Sequence, residues 1–179
     1  MKRILFKIVL AILGILLGAA GALFIIGGRT AVYRAEVEIA AAPEMVFTYL
    51  TESDLLLQWM DGVTKIEPLT KDVHGVGAKS RVTIHDSQII QDEVLESKPG
   101  ELLQVRLTSD GLDATSTYSL HSHGRTTHLR QEFLADFTGI ARIFAPFAGG
   151  EIQRKLDEDF QRLKQVVETR DDDTDAESS

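Results

Sequence analysis

Residues 114–137 read ATSTYSLHSHGRTTHLRQEFLADF, two alternating runs that meet around His123-Gly124. In a strand, side chains alternate between faces, so a hairpin of two such runs can be phased. With His123-Gly124 as the two turn residues, Ser122 faces Arg125, Leu120 faces Thr127 and Tyr118 faces Leu129. One face then gathers Ala114, Ser116, Tyr118, Leu120, Thr127, Leu129, Gln131, Phe133, Ala135 and Phe137. The other gathers Thr115, Thr117, Ser119, His121, Thr126, His128, Arg130, Glu132 and Asp136, with Leu134 as its apolar exception. A sheet that is apolar on one side needs a covering layer. It follows directly, because Ile152, Leu156, Phe160, Leu163 and Val167 recur at spacings of three and four, the stripe of a long helix. The apolar face carries Ser116, Gln131 and the Tyr118 hydroxyl, and a polar group there needs a partner: a side chain, a water or a ligand.

Upstream, the pattern predicts strands at Val63–Leu69, Lys79–His85, Gln88–Ser97, Leu102–Thr108, Asp113–His121 and Arg125–Phe137, with Lys98-Pro99-Gly100 and Asp110-Gly111 as turns. Before them, Ala31–Ile39 alternates as a strand. Ala42-Pro43-Glu44-Met45-Val46-Phe47 opens a helix with Pro in its first turn, and Ser53 to Met60 forms a second short helix holding Leu55, Leu56, Trp59 and Met60.

A strand, two short helices, six antiparallel strands and a long helix follow the order of the helix-grip fold. The residues resemble the SRPBCC superfamily, also called START-like or polyketide cyclase/dehydrase-like. The resemblance rests on residues 42–47, on His74-Gly75-Val76-Gly77-Ala78-Lys79-Ser80-Arg81 as the Gly-x-Gly turn into the third strand, on Val94 to Leu102, and on Tyr118-Ser119-Leu120 with Gly124 to Thr127. It implies an α+β fold, a curved antiparallel seven-stranded sheet around the C-terminal helix, over residues 31–168. It also implies a cavity between sheet and helix for a hydrophobic or lipid-like small molecule. Trp59, Tyr118, Leu120, Leu129, Gln131, Phe133, Phe144 and Phe147 are the residues expected to line it.

Two segments flank this domain. Residues 8–26 carry no charge, and at about 1.5 Å per helical residue they cover about 28 Å, near the ~30 Å hydrocarbon core of a bilayer. Lys2, Arg3 and Lys7 with Ala20-Gly21-Ala22 also resemble a cleaved signal peptide, but the apolar run continues through Leu23 to Ile26 beyond that site, which favours a retained anchor over residues 1–29. The basic residues before the span place the N-terminus in the cytoplasm and the domain outside it. Gly14 and Gly18 have the small-xxx-small spacing of a helix pair and so fit a homodimer. At the other end, 169–179, closing on Asp171 to Ser179 (DDDTDAESS), is expected to be a disordered acidic tail.

The chain has 179 residues, 19 basic against 27 acidic, a net charge of -8 and no cysteine. That balance argues against nucleic acid as a partner and removes thiolate chemistry and Cys-ligated metal. Residues Gly75 to Ser80 fall short of a phosphate loop, since Val73 and Ala78 stand where it needs glycines. His121, His123 and His128 fall on the solvent side or in the turn, so no metal or cofactor is expected. Asp157, Glu158 and Asp159 read as an exposed charged helix face beside Arg154, Lys155 and Arg162. No compact acid-base set is visible: Arg81, His85 and Tyr118 are the nearest candidates, and Arg81 and His85 alternate away from Val82 and Ile84. A binding or carrier domain is therefore favoured over a cyclase/dehydrase-like enzyme or a purely regulatory interaction domain.

Overall fold

The computed structural model describes residues 2–71 and 75–177, with side chains over 12–71 and 75–170. Met1, Val73, His74, Ser178 and Ser179 lie outside the described residues, as do the side chains of Lys2, Arg3 and Lys7. In chain order the elements are α1 (Lys2–Ile26), β1 (Ala31–Ile39), α2 (Pro43–Thr51), α3 (Ser53–Trp59), β2 (Val63–Pro68), β3 (Lys79–Ile84), β4 (Gln88–Lys98), β5 (Leu102–Ser109), β6 (Leu112–His123), β7 (Thr126–Phe137) and α4 (Ala141–Glu177). The seven strands form one antiparallel sheet in the order β1-β7-β6-β5-β4-β3-β2. Six consecutive hairpin-linked strands make a meander, and β1 closes it by pairing with β7. This is the helix-grip arrangement.

Alternation sets the faces. In β1, Tyr33, Ala35, Val37 and Ile39 are buried while Val32, Arg34, Glu36 and Glu38 are exposed. In the β6–β7 hairpin the two faces come out as phased, but the register differs by two residues: Leu120 pairs with Leu129 and Tyr118 with Gln131. The turn residues are Gly124 and Arg125 rather than His123 and Gly124, because only Gly124 takes a positive φ, +68°, and a two-residue turn of this hand places glycine first. A shift of two keeps every side chain on its face.

The main core joins Val37, Ile39, Val46, Phe47, Leu50, Trp59, Leu103, Leu120 and Leu129 to Phe160, Leu163 and Val167 of α4. Trp59 closes α3 and donates its indole N–H to the Tyr49 carbonyl at 3.0 Å. One expected surface charge is buried: Asp159 is 6 % exposed, accepts the Asp61 backbone N–H at 3.1 Å and pairs with Arg162. Arg162 in turn donates to the Trp59 carbonyl at 3.0 Å, so this part of α4 fastens the end of α3 instead of facing solvent.

α4 is continuous through Pro146 and past residue 168 to Glu177, and no Gly or Pro after Gly150 interrupts it. α1 docks on the start of α4. A Cβ at Gly27 would overlap the Arg142 carbonyl, and the Arg142 guanidinium lies 5.2 Å above the Phe24 ring while its Nε donates to the Phe137 carbonyl at 3.0 Å. The expected span over residues 8–26 is helical but is not shown as a span: among the described residues no helix is long and apolar enough to cross a membrane.

Candidate ligand-binding cavity

α2 and α3, nine and seven residues long, are too short to fill the concave side of the sheet over β2–β5. Under them lies a cavity of about 170 Å³. Its roof is Leu50, Thr51, Ser53, Leu56 and Met60, and its walls are Val63, Ile66 and Pro68 of β2, Ser80, Val82 and Ile84 of β3, Ile90, Asp92 and Val94 of β4, Leu103, Val105 and Leu107 of β5, and Tyr118 of β6. An apolar cavity of about 150 Å³ is enough to take up benzene, so this one has room for a small ring or a short length of hydrocarbon chain. No residue of α4 lines it. Phe160, Leu163 and Val167 are almost wholly buried and plug the β1, β6 and β7 side of the cup, which moves the empty volume away from the long helix.

Strand alternation delivers the wall. Ser80 pairs with Asp92 and Val82 with Ile90, so Ser80, Val82 and Ile84 share one face with Ile90, Asp92 and Val94. Asp92 is thus a carboxyl on an otherwise apolar wall. The Ser80 hydroxyl and backbone reach it, yet burial outweighs those bonds and pushes the carboxyl above its ordinary range. Its Oδ1 atom is fully shielded and has no hydrogen-bond partner among the described residues. Asp92 was not foreseen from the sequence, although its signal is there: an acid in period-two phase with Ile90 and Val94.

Of the eight residues expected to line a cavity, Tyr118 alone does so. Trp59, Leu120, Leu129 and Gln131 are packed in the interior, Phe133 lies against Tyr33 with ring centres 6.2 Å apart, and Phe144 and Phe147 are 63 % and 72 % exposed at the start of α4. The polar interruptions partner each other: Gln131 Nε2 donates to Ser116 Oγ at 2.7 Å and to Tyr118 Oη at 3.1 Å. Tyr118 stacks on Phe160 at 6.4 Å, and burial pushes its phenol up. The ring edge therefore belongs to the cavity while the hydroxyl is tied into the core.

The remaining candidates stand elsewhere. His85 and Asp86 form the β3–β4 turn with φ of 48° and 58°, and the His85 ring covers Gly62, where a Cβ would come within 2.5 Å of Cε1. Neither His85 nor Arg81 lines the cavity. His121 and His123 are exposed, and His128 stacks on His123 at 6.1 Å. Among the described residues no group of three or more His, Asp or Glu side chains could hold a metal ion.

Residues 30–168 match the family model described as polyketide cyclase / dehydrase and lipid transport. The chain belongs to that family. Solved structures agree with the family fold: a Mesorhizobium loti protein is 23% identical with a TM-score of 0.61, over 78% of this chain and 96% of its own. A conserved Geobacillus kaustophilus protein is 17% identical with a TM-score of 0.64, over 76% and 95%. A norcoclaurine synthase point mutant from Thalictrum, in complex with a transition-state analogue, is 16% identical with a TM-score of 0.56, over 78% and 94%. At these identities the likeness is one of fold. No curated protein matches the chain.

Proposed function

We propose that this family member is a membrane-anchored binding or carrier domain for a hydrophobic or lipid-like small molecule, and that the molecule occupies the cavity between α2–α3 and β2–β5. The observation that carries the reading is that cavity, about 170 Å³ of mainly apolar wall inside a packed domain. Residues 8–26 serve as the anchor, with the N-terminus cytoplasmic and the domain on the other side. In support, Leu13, Ile15, Leu16, Leu17, Ile25 and Ile26 are exposed along α1, and Ile140, Phe144 and Phe147 extend the apolar surface onto the start of α4 beside Phe24 and Arg142. A Cβ added at Gly14 or Gly18 would meet no other described residue within 4 Å, which leaves room for a second α1 in a homodimer.

A second reading, an enzyme of cyclase/dehydrase type, draws on Asp92, whose shielded carboxyl is suited to hold or move a proton beside a bound substrate. The two readings are separated by purifying the full chain from native membranes and examining what comes with it by mass spectrometry. A carrier yields an unaltered apolar molecule. An empty protein that also takes up no apolar dye contradicts the carrier, and turnover of an added ligand favours the enzyme.

A further inference from the structure

Resting on that reading of the cavity, we infer that Asp92 is the polar anchor of the ligand site and that the ligand carries a hydroxyl group on its apolar body. Among the described residues, the cavity wall contains one ionisable group besides the tied-up phenol of Tyr118, and it is this carboxyl. Asp92 Oδ1 is cut off from solvent without a donor to satisfy it, whereas the buried polar groups of the neighbouring knot, Gln131, Ser116 and Tyr118, are bonded to one another. A shielded acceptor left open costs stability, so a wall built only for packing would carry an apolar residue there, as its neighbours Ile90 and Val94 do. Once the carboxyl turns its open oxygen toward the cavity that Asp92 lines, a ligand that brings a donor repairs this defect, and one that brings none leaves it.

The donor is neutral. An ammonium would lose its hydration among Val82, Ile84, Ile90, Val94 and Val105, with a single carboxyl as compensation. A hydroxyl sheds far less hydration and fits beside Ser80, which pairs with Asp92 across β3 and β4. Discrimination by such a contact is steep, because a site built to receive a hydroxyl rejects the analogue that lacks it.

The test uses two probes of one shape, 4-ethylphenol and ethylbenzene, dialysed to equilibrium against the full chain in lipid nanodiscs. Uptake by a Val105→Phe chain, whose cavity is filled, is subtracted. Wild type is expected to prefer 4-ethylphenol by about tenfold, the factor of one buried hydrogen bond. Asp92→Leu should abolish that preference while still taking up ethylbenzene. Asp92→Asn, which keeps an acceptor oxygen, should retain part of it. Trp59, the chain's one tryptophan, reports by its emission that each variant is folded. Equal preference in wild type and Asp92→Leu overturns the assignment, since a cavity water would then be satisfying Oδ1. If neither probe binds wild type better than Val105→Phe, the cavity reading fails and the assignment falls with it.

Discussion

Gln131→Leu distinguishes a structural knot from a ligand contact. Gln131 is 4 % exposed and donates two hydrogen bonds from one amide nitrogen, at 2.7 Å to Ser116 and 3.1 Å to Tyr118. At about 0.5–1.5 kcal/mol net for each bond, their loss costs roughly 1–3 kcal/mol. Leucine has a similar reach and fills most of the space, so little cavity penalty is added. The two hydroxyls left behind can still bond to each other, as the effect of Ser116 on Tyr118 indicates, which holds the expected cost near 2 kcal/mol. Urea unfolding of the full chain in mild detergent, followed by Trp59 emission, reads this as a fall in midpoint of about 1 M with unchanged slope. Adding Ser116→Ala should deepen the loss, because it takes away the partner left to the buried Tyr118 hydroxyl. Uptake of apolar probes should stay as in wild type. A Gln131→Leu chain of undiminished stability that binds ligand poorly would refute the knot and return Gln131 to the ligand site.

Two further outcomes follow from the same geometry. Asp92→Leu should raise stability at pH 8 by about 1–2 kcal/mol, since it replaces a partly desolvated carboxylate with an apolar side chain. Because burial raises the folded-state carboxyl above its unfolded value, the native protein binds its proton first as pH falls, so wild type regains stability through the raised range and the gap should narrow toward pH 4; a gap independent of pH in urea titrations would contradict the assignment. The chain has no cysteine, so a single Phe147→Cys can carry an environment-sensitive dye. Its emission should shift to the blue in vesicles relative to detergent-free unfolded chain, and shift more than that of a dye at His123 on the β6–β7 turn; equal shifts would remove the start of α4 from the membrane surface.

Much of the fold is written in residue order. Period-two patterning located all six meander strands to within two residues at each end, and the stripe from Ile152 to Val167 placed α4 on the sheet. The hairpin faces were legible because parity survives a slip of two, while the register was not, since it depends on which pair around Gly124 makes the turn. The cavity was harder. Sequence shows which residues face inward but not how far α4 fills the cup, and the bulk of Phe160, Leu163 and Val167 decides that β2–β5, rather than β6–β7, border the void. Gln131 and Tyr118 drew notice as polar residues on an apolar face, and they prove to satisfy each other across paired positions. Asp92 carries the same kind of signal in β4, where the strand has charged residues on both sides and a register shift between Val94 and Glu96 hides the alternation. Burial of Asp159 likewise depends on the end of α3 meeting α4, a contact between residues about a hundred positions apart.

A ligand site in the space beneath α2 and α3 should keep its occupant through purification. Mass spectrometry of small molecules extracted from the full chain, purified from native membranes beside a folded Val105→Phe chain, tests it most directly. Wild type should release an apolar, hydroxyl-bearing molecule in near-stoichiometric amount, and the filled variant should lack it. The same molecules in equal amounts from both chains would contradict it.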